Sequence, residues 1–176
     1  MLYVRNFGGP LGMSWEEVFQ TSDRLELETF CRENEIAFEW TARGRLRTRQ
    51  VRPAVARHPR TEGRVWFNHV TALHVSTLPP RLRGMLQKLV RDDADLPSNT
   101  YYGDGAPIEP EVLDEIRHAY EIEAVPVAWR SGDVLMIDNL LVAHGRLPFD
   151  GPRDVVVVLA EPMNWRDVTE SESVGS

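Results

Sequence analysis

The residues that could do chemistry in this sequence are concentrated near its C-terminal end, around His144. Asp138 precedes this histidine by six residues, Arg146 follows it by two, and Arg153 comes later in the same stretch. An imidazole can bind a transition metal or transfer a proton near neutral pH, and a nearby carboxylate or guanidinium supplies charge. We therefore take His144, Asp138 and Arg146 as candidate catalytic residues. For Asp138 the alternative is a structural role at the polar end of a strand, where a turn begins.

An arginine-rich segment supplies a second candidate surface. The alternation in Leu46–Val51 predicts a strand, and side chains with a period of two place Arg45, Arg47 and Arg49 on one face. Guanidinium groups suit carboxylates and phosphates, so this face fits a carboxylate, a phosphopantetheine arm or an acidic carrier protein. The alternative is a solvated face that pairs with the chain's excess acids. Arg47 and Arg49 are the candidate substrate-binding residues of this segment.

Local signals predict two helices ahead of the strands. Ser14–Gln20 opens with a serine followed three residues later by a glutamate, which is a capping box and predicts a short helix. A second helix is predicted over Asp23–Asn34, capped by Thr21 or Ser22. The predicted inner face of this second helix comprises Leu25, Phe30 and Cys31.

Further helices are predicted over Leu82–Val90 and from Pro110 onward. Proline is favoured at a first helical position, and apolar residues recur at helical spacing after it. Those apolar positions are Val112, Ile116 and Ala119 or Tyr120. Asn99–Pro110 is predicted to be a turn-rich loop.

The remaining pattern predicts strands, mostly in the C-terminal half. They are Ala37–Trp40, Leu46–Val51, Arg64–Val70, Val125–Trp129, Val134–Ile137 and Val155–Ala160, with a turn at Arg130–Asp133. Because Val155–Ala160 is wholly apolar, we expect it to be buried on both faces. Helices first and a β-rich second half predict an α+β fold, its sheet curled or paired into a barrel or sandwich.

Length and composition bound the possible functions. The 176 residues suit one domain, predicted over residues 1–162 and followed by a polar tail at 163–176. A net charge of −7 argues against nucleic acid as the main partner. No apolar run approaches the length of a membrane span and no signal peptide is evident, so we expect a cytoplasmic protein without a membrane partner. The single cysteine, Cys31, excludes an internal disulfide and a cysteine-based zinc site.

Several motifs together resemble a known family. The most specific is Gly132–Arg146, which reads GDVLMIDNLLVAHGR; the others are Tyr3–Gly8, Leu46–Pro53, Val65–His69 and Tyr101–Gly105. They resemble the C-terminal half of the iron(II)/2-oxoglutarate-dependent oxygenases of the taurine dioxygenase and clavaminate synthase-like family, in the branch that hydroxylates amino acids for peptide natural products. The resemblance runs from about Leu2 to Pro162. Within it, Asn68 and His69 join Arg47 and Arg49 as candidate substrate-binding residues.

The resemblance implies a double-stranded β-helix that holds one ferrous ion through two histidines and a carboxylate, leaving positions for 2-oxoglutarate and oxygen. His144 matches the downstream histidine ligand, and Arg153 is the candidate anchor for 2-oxoglutarate. Relatives commonly carry a second arginine where this chain has Asp154, which disfavours binding of that cosubstrate. The family's other two ligands form a His-x-Asp or His-x-Glu motif. None of the five histidines here, at positions 58, 69, 74, 118 and 144, is followed two residues later by an acid.

We therefore expect a truncated double-stranded β-helix with flanking helices and an incomplete iron site. Half of such a sheet leaves strand edges unpaired, so a second copy of the chain or a complementing subunit is expected to cover them. A new site built with His69 and His74 is an alternative, although residues five apart face opposite sides of a regular strand.

Three functions remain open at this point. The first is a degenerate oxygenase in peptide natural-product biosynthesis, acting on an amino-acid-like or carrier-bound intermediate by a mechanism that departs from the parent reaction. The second is an active iron/2-oxoglutarate hydroxylase whose missing ligands come from another chain or from upstream sequence. The third is a non-catalytic binding or scaffold subunit that uses the arginine face.

Overall fold

The computed structural model describes residues 1–9, 12–41, 44–90 and 96–169, without the side chain of Gln87. The chain divides into two compact units. The first comprises Met1–Arg52 and His69–Pro126, and the second comprises Pro53–Asn68 and the chain from Val127 onward. A single domain over residues 1–162 stays a prediction, and each unit is described by itself.

The first unit is a four-stranded antiparallel sheet with helices, and the second contains a two-stranded antiparallel hairpin. The strands are β1 (Leu2–Phe7), β2 (Ala37–Trp40), β3 (Leu46–Val51), β4 (Val55–Arg57), β5 (Arg64–Trp66) and β6 (Ser98–Tyr101). The sheet order in the first unit is β2-β3-β1-β6, and β4 pairs with β5 in the second. The helices are α1 (Trp15–Phe19), α2 (Arg24–Glu33), α3 (Val70–Leu73), α4 (Pro80–Leu89) and α5 (Pro110–Ile122), with 3-10 turns at Val75–Thr77 and Trp165–Val168.

The strand order corrects the prediction that helices come first. β1 precedes both N-terminal helices and pairs on one side with β3 and on the other with β6. β6 lies where a turn-rich loop was predicted. Both strands are short and pair with residues 39 or more positions away in sequence. Local turn signals do not report such pairings.

The predicted start of α1 is confirmed, whereas the predicted cap of α2 is wrong. The Ser14 hydroxyl accepts from the backbone N–H of Glu17 at 3.2 Å, and the Glu17 carboxylate accepts from the backbone N–H of Ser14 at 2.8 Å. This confirms the capping box. For α2 the cap is Asp23, whose carboxylate accepts from the backbone N–H of Leu25 at 2.8 Å. The predicted caps at Thr21 or Ser22 are therefore wrong.

The inner face of α2 consists of Leu27 and Cys31, both fully buried, in place of the predicted Leu25. Leu27 and Cys31 are four residues apart and share one side of the helix, whereas Leu25 points away and is 72% exposed. Phe30 is also partly open to solvent. Burial raises the pKa of the Cys31 thiol, as expected for an inert side chain.

Two clusters of buried side chains hold the first unit together. The larger comprises Phe7, Trp15, Leu27, Cys31 and Leu46, so it joins β1 and β3 to α1 and α2. The smaller joins α3 and α5 and comprises Val70, Ile108 and Leu113. The predicted helix start at Pro110 is confirmed. Leu113, rather than the exposed Ala119, is its most buried residue.

The second unit departs most from expectation. The turn at Arg130–Asp133 is confirmed, closed by the backbone N–H of Asp133 donating to the Arg130 carbonyl at 3.1 Å. The predicted strands Val125–Trp129, Val134–Ile137 and Val155–Ala160 are absent from the described structure, and Arg64–Val70 is a strand only as far as Trp66. Val156 is 90% exposed, so the predicted burial of Val155–Ala160 is wrong here. These apolar segments have no strand partner among the described residues.

The predicted α+β class is confirmed at the level of antiparallel sheets with helices, and the described residues form no closed barrel. In the region predicted as a polar tail, Trp165–Val168 forms a capped turn that buries Val168, and residues from 170 onward lie outside the described ones. None of the helices in the described ranges combines the length and apolarity that crossing a bilayer requires.

We expect Leu27→Ala to lower the free energy of unfolding by about 2–5 kcal/mol, because it leaves a cavity in a fully buried cluster. Leu25→Ala on the same helix is the matched control. We expect it to change that free energy by no more than about 0.5 kcal/mol, because Leu25 is exposed. Urea denaturation of both variants measures the difference. Equal losses would contradict the assignment of the inner face.

Candidate functional site

A histidine and an aspartate from distant parts of the sequence meet in the second unit. His58, at the end of β4, is 3% exposed, and its Nε2 lies 3.0 Å from the Oδ2 atom of Asp138. Asp138 remains 44% exposed. The pair connects the β4–β5 hairpin to the segment that leads toward His144.

The backbone fixes the tautomer of His58. Its Nδ1 atom accepts hydrogen bonds from the backbone N–H groups of Arg60 at 3.3 Å and Thr61 at 3.1 Å. An accepting nitrogen carries no proton, so the neutral ring bears its hydrogen on Nε2 and donates it to Asp138. Both ring nitrogens are therefore engaged in holding the structure.

Asp138 is also fixed by backbone hydrogen bonds. Its Oδ1 atom accepts from the backbone N–H of Leu140 at 3.0 Å, and its carbonyl accepts from the N–H groups of Leu141 and Val142. The hydrogen bond from His58, followed by that from Leu140, lowers the pKa of the Asp138 carboxyl below its usual value. A carboxylate with a lowered pKa is a weak general base. This geometry favours the turn-forming alternative, and the catalytic role stays a prediction.

His144 follows this turn and is exposed. Within the described residues its ring has no hydrogen-bond or ion-pair partner. Across all of the described residues there is also no group of three histidine, cysteine, aspartate or glutamate side chains that could hold a metal ion. The described residues therefore do not provide the ligand set that the resemblance implies, and the assignment of His144 as a metal ligand stays a prediction.

Two of the candidate site residues, Arg146 and Arg153, lie close to the same aromatic ring. The guanidinium carbon of Arg146 lies 5.0 Å from the centre of the Phe149 ring, and that of Arg153 lies 5.2 Å from the same centre. Arg153 also lies 6.0 Å from the ring of Trp129. Stacking on aromatic faces leaves the edges of a guanidinium free to bind a planar anion. This arrangement groups the candidate catalytic Arg146 with the candidate cosubstrate anchor Arg153.

The other candidate substrate residues lie on different elements. On β3 the alternation is confirmed, since Leu46 and Thr48 are buried while Arg49 is exposed. Arg47 is half-buried and donates through Nε to the Oδ1 atom of Asn6 at 2.8 Å. It is therefore engaged within the sheet, and Arg49 is the more open of the two.

Asn68 and His69 precede α3. Asn68, in the second unit, donates to the carbonyl of Ala54 at 2.9 Å. His69, in the first unit, is exposed and occupies the N-cap position of α3 without a side-chain capping hydrogen bond. His74 ends that helix, so these two histidines flank a helix instead of sharing a strand. A site containing both His69 and His74 stays a prediction.

Sequence reasoning missed His58 and Phe149. A search for histidines followed two residues later by an acid passes over His58, because its acidic partner is 80 positions away. The signal available was the His58–Gly63 turn, whose backbone amides face the ring. Phe149 could have been found from its position between Arg146 and Arg153.

Comparison with known proteins agrees with the resemblance. The chain matches the model of the "Taurine catabolism dioxygenase TauD, TfdA family" over residues 13–159. It belongs to that family. It is 42% identical over 161 residues to the dapdiamide synthesis protein DdaC of Enterobacter agglomerans, and 31% identical over 168 residues to a clavaminate synthase-like protein of Arabidopsis thaliana.

The chain spans about half the length of these relatives. Each match covers 92% of this chain, but 49% of the bacterial relative and 47% of the plant relative. The family assignment therefore rests on nearly all of the present sequence, while about half of each relative has no counterpart in it.

We expect His58→Leu to raise the pKa of Asp138 toward its ordinary value of 3.8, because the largest cause of the lowering is removed. A lowered folded-state pKa stabilises the protein above the unfolded value, and this stabilisation is lost as the pH falls through the folded one. Carbon-detected NMR titration of the carboxyl measures the shift. His118→Leu, at an exposed histidine on α5, is the control. An unchanged titration of Asp138 in His58→Leu would refute the assigned cause.

Proposed function

We propose that this chain is the C-terminal part of an oxygenase of peptide natural-product biosynthesis and that another polypeptide segment completes its sheet and metal site. The observation that carries the proposal is the exposed apolar segment Val155–Ala160 in a chain that spans half its relatives. The completed fold is the double-stranded β-helix that the family implies. The cytoplasmic location stays a prediction.

The exposed apolar side chains support a missing partner. Val134, Met136 and Val156 are each at least 90% exposed, and Val158 and Leu159 exceed 80%. Exposed apolar side chains in such a number are costly in water and favour an interaction site. A run of β-branched residues suits a strand buried on both faces. Strands of the same fold, carried by the half of the relatives that is not matched here, are the occupant with the right chemistry.

The metal site supports the same conclusion. Iron of the family type needs three protein ligands, and among the described residues no cluster of three exists. His144 is exposed and can supply one ligand to a site completed from outside. The His-x-Asp or His-x-Glu motif would then come from the complementing segment.

The chain's own residues can bind the anionic groups of the reactants. Arg146 and Arg153 are held on Phe149 and suit a carboxylate such as that of 2-oxoglutarate. Asp138 and His58 hold the turn from which His144 follows. The substrate we propose is an amino-acid-like or carrier-bound molecule, consistent with the biosynthetic role in the name of the bacterial relative. Arg49 remains available for the substrate or its carrier.

The oxygen-independent mechanism is less well supported. It requires a free general base, and the strongest candidate, Asp138, has a lowered pKa and both oxygens engaged. We therefore favour an oxygenase that is completed in trans or by upstream sequence over a degenerate enzyme. Completion by a second copy of the same chain is an outcome of the test below.

The experiment is an anaerobic titration with ferrous iron and 2-oxoglutarate, following the visible charge-transfer band of the chelated cosubstrate. The chain is measured alone and mixed with the segment of the bacterial relative that the match leaves uncovered. We expect no band from the chain alone and a band from the mixture. His144→Ala is expected to abolish the band of the mixture, whereas the control His118→Ala is expected to retain it.

Three results would contradict parts of the proposal. A band from the chain alone that requires His144 would show that copies of the chain complete one another. A band that survives His144→Ala would remove this histidine from the ligand set. No band from a mixture that forms a stable complex, shown by light scattering, would refute the oxygenase assignment.

A further inference from the structure

A cavity lies in the first unit between the sheet and the two N-terminal helices. Its volume is about 400 Å³, within the usual range for small-molecule sites. Its apolar wall is formed by Val18 and Phe19 of α1, Phe30 of α2, and Ile36. None of these four wall residues belongs to the motifs that indicated the oxygenase family. The floor is formed by β1 and β3, which overlap two of those motifs.

The floor of the cavity carries three polar side chains from neighbouring strands. Arg5 of β1 is directly opposite Thr48 of β3, and Gln50 lies two residues beyond Thr48. Opposed residues and residues two apart share a face of the sheet, with opposed Cβ atoms about 5 Å apart. The guanidinium, the hydroxyl and the amide therefore converge on one side of the cavity.

These polar groups have no hydrogen-bond or ion-pair partner within the described part of the protein. Arg5 is half-buried and makes no hydrogen bond or ion pair there, and its guanidinium lies 4.9 Å from the centre of the Phe7 ring. Burial lowers the pKa of Arg5, which nevertheless stays protonated at neutral pH. Thr48 and Gln50 likewise make no side-chain hydrogen bond to described residues. None of the residues that line the cavity is acidic.

The apolar wall is open to solvent on one side. Phe30 is 46% exposed although it contacts the ring of Phe19 edge-to-face, with 5.8 Å between ring centres. A large aromatic side chain that lines a cavity and remains exposed leaves an entrance of apolar character. The cavity thus joins an apolar wall to a half-buried cation without a counter-ion.

We propose that this cavity binds a small apolar monocarboxylate. The carboxylate accepts hydrogen bonds from Arg5 and from the amide of Gln50 or the hydroxyl of Thr48. The apolar part of the ligand packs against Phe19, Phe30 and Ile36. A charge-assisted bidentate contact restores to Arg5 the solvation that burial removes. The site is independent of the metal chemistry and does not rest on the proposed function.

The test uses the whole chain and two probes of the same shape, 3-phenylpropionate and the neutral 3-phenylpropanamide. Affinities are measured by following backbone amide NMR signals during titration. We expect saturable binding of the carboxylate, with shifts at Thr48 and Phe30, and weaker binding of the amide. Arg5→Gln is expected to weaken carboxylate binding about tenfold or more, because a hydrogen bond to a charged group is lost.

Arg81→Gln is the matched control, since Arg81 is an exposed arginine on α4 of the same unit and does not line the cavity. We expect it to leave the affinity within about twofold. Val18→Phe fills the cavity and is expected to abolish binding while Arg5 is retained, which keeps the test decisive if Arg5→Gln fails to fold. Equal affinity for both probes, unchanged binding in Arg5→Gln, or no saturable shift would overturn the proposal.

Discussion

The pairing of β1 on both of its edges is the constraint on which the first unit depends. β3 and β6 are far apart in sequence and belong to the same sheet only because each pairs with one edge of this strand. Each residue of β1 then serves a different part of the unit. Phe7 enters the larger core cluster, Arg5 faces the cavity, and the hydroxyl of Tyr3 accepts from the backbone N–H of His69 at the start of α3. A slip of one residue would exchange all of these contacts between the two faces.

Apart from the cap of α2, the structure confirms the predictions that rest on a few neighbouring residues, whereas pairings across long separations were not predicted. The capping box at Ser14, the helix start at Pro110 and the alternation of Leu46–Val51 each depend on neighbours in sequence. β1 and β6 carry little pattern of their own and exist because they pair with distant strands. The contact between His58 and Asp138 is of the same kind. Periodicity places an apolar stripe on α2 but cannot choose Leu27 over Leu25 until the sheet beneath it is known.

The exposed apolar segments of the second unit show the other limit of sequence reasoning. The composition of Val155–Ala160 indicates a strand buried on both faces, and burial is a property of a residue together with its surroundings. The first unit buries Leu27, Leu46 and Leu113 against its own helices and sheet, whereas the described second unit offers this segment no partner strand. In the proposed complex this composition would form part of a core, whereas in the described second unit the same side chains are exposed to solvent.

Arginines on the two faces of the first unit's sheet differ in their bonding partners, and this difference bears on function. Arg47 donates to Asn6, and the amide of Asn6 donates to the carbonyl of Leu96 at 2.6 Å. The guanidinium of Arg47 is therefore part of a structural hydrogen-bond network. Arg5, one position along β1 from Asn6, faces the opposite side, where the described residues offer it no anion. A half-buried charge without a partner reduces stability and is retained more readily where a ligand supplies the missing contacts. Among the arginines of this sheet, Arg5 therefore points to binding more strongly than the exposed Arg49, which water already solvates.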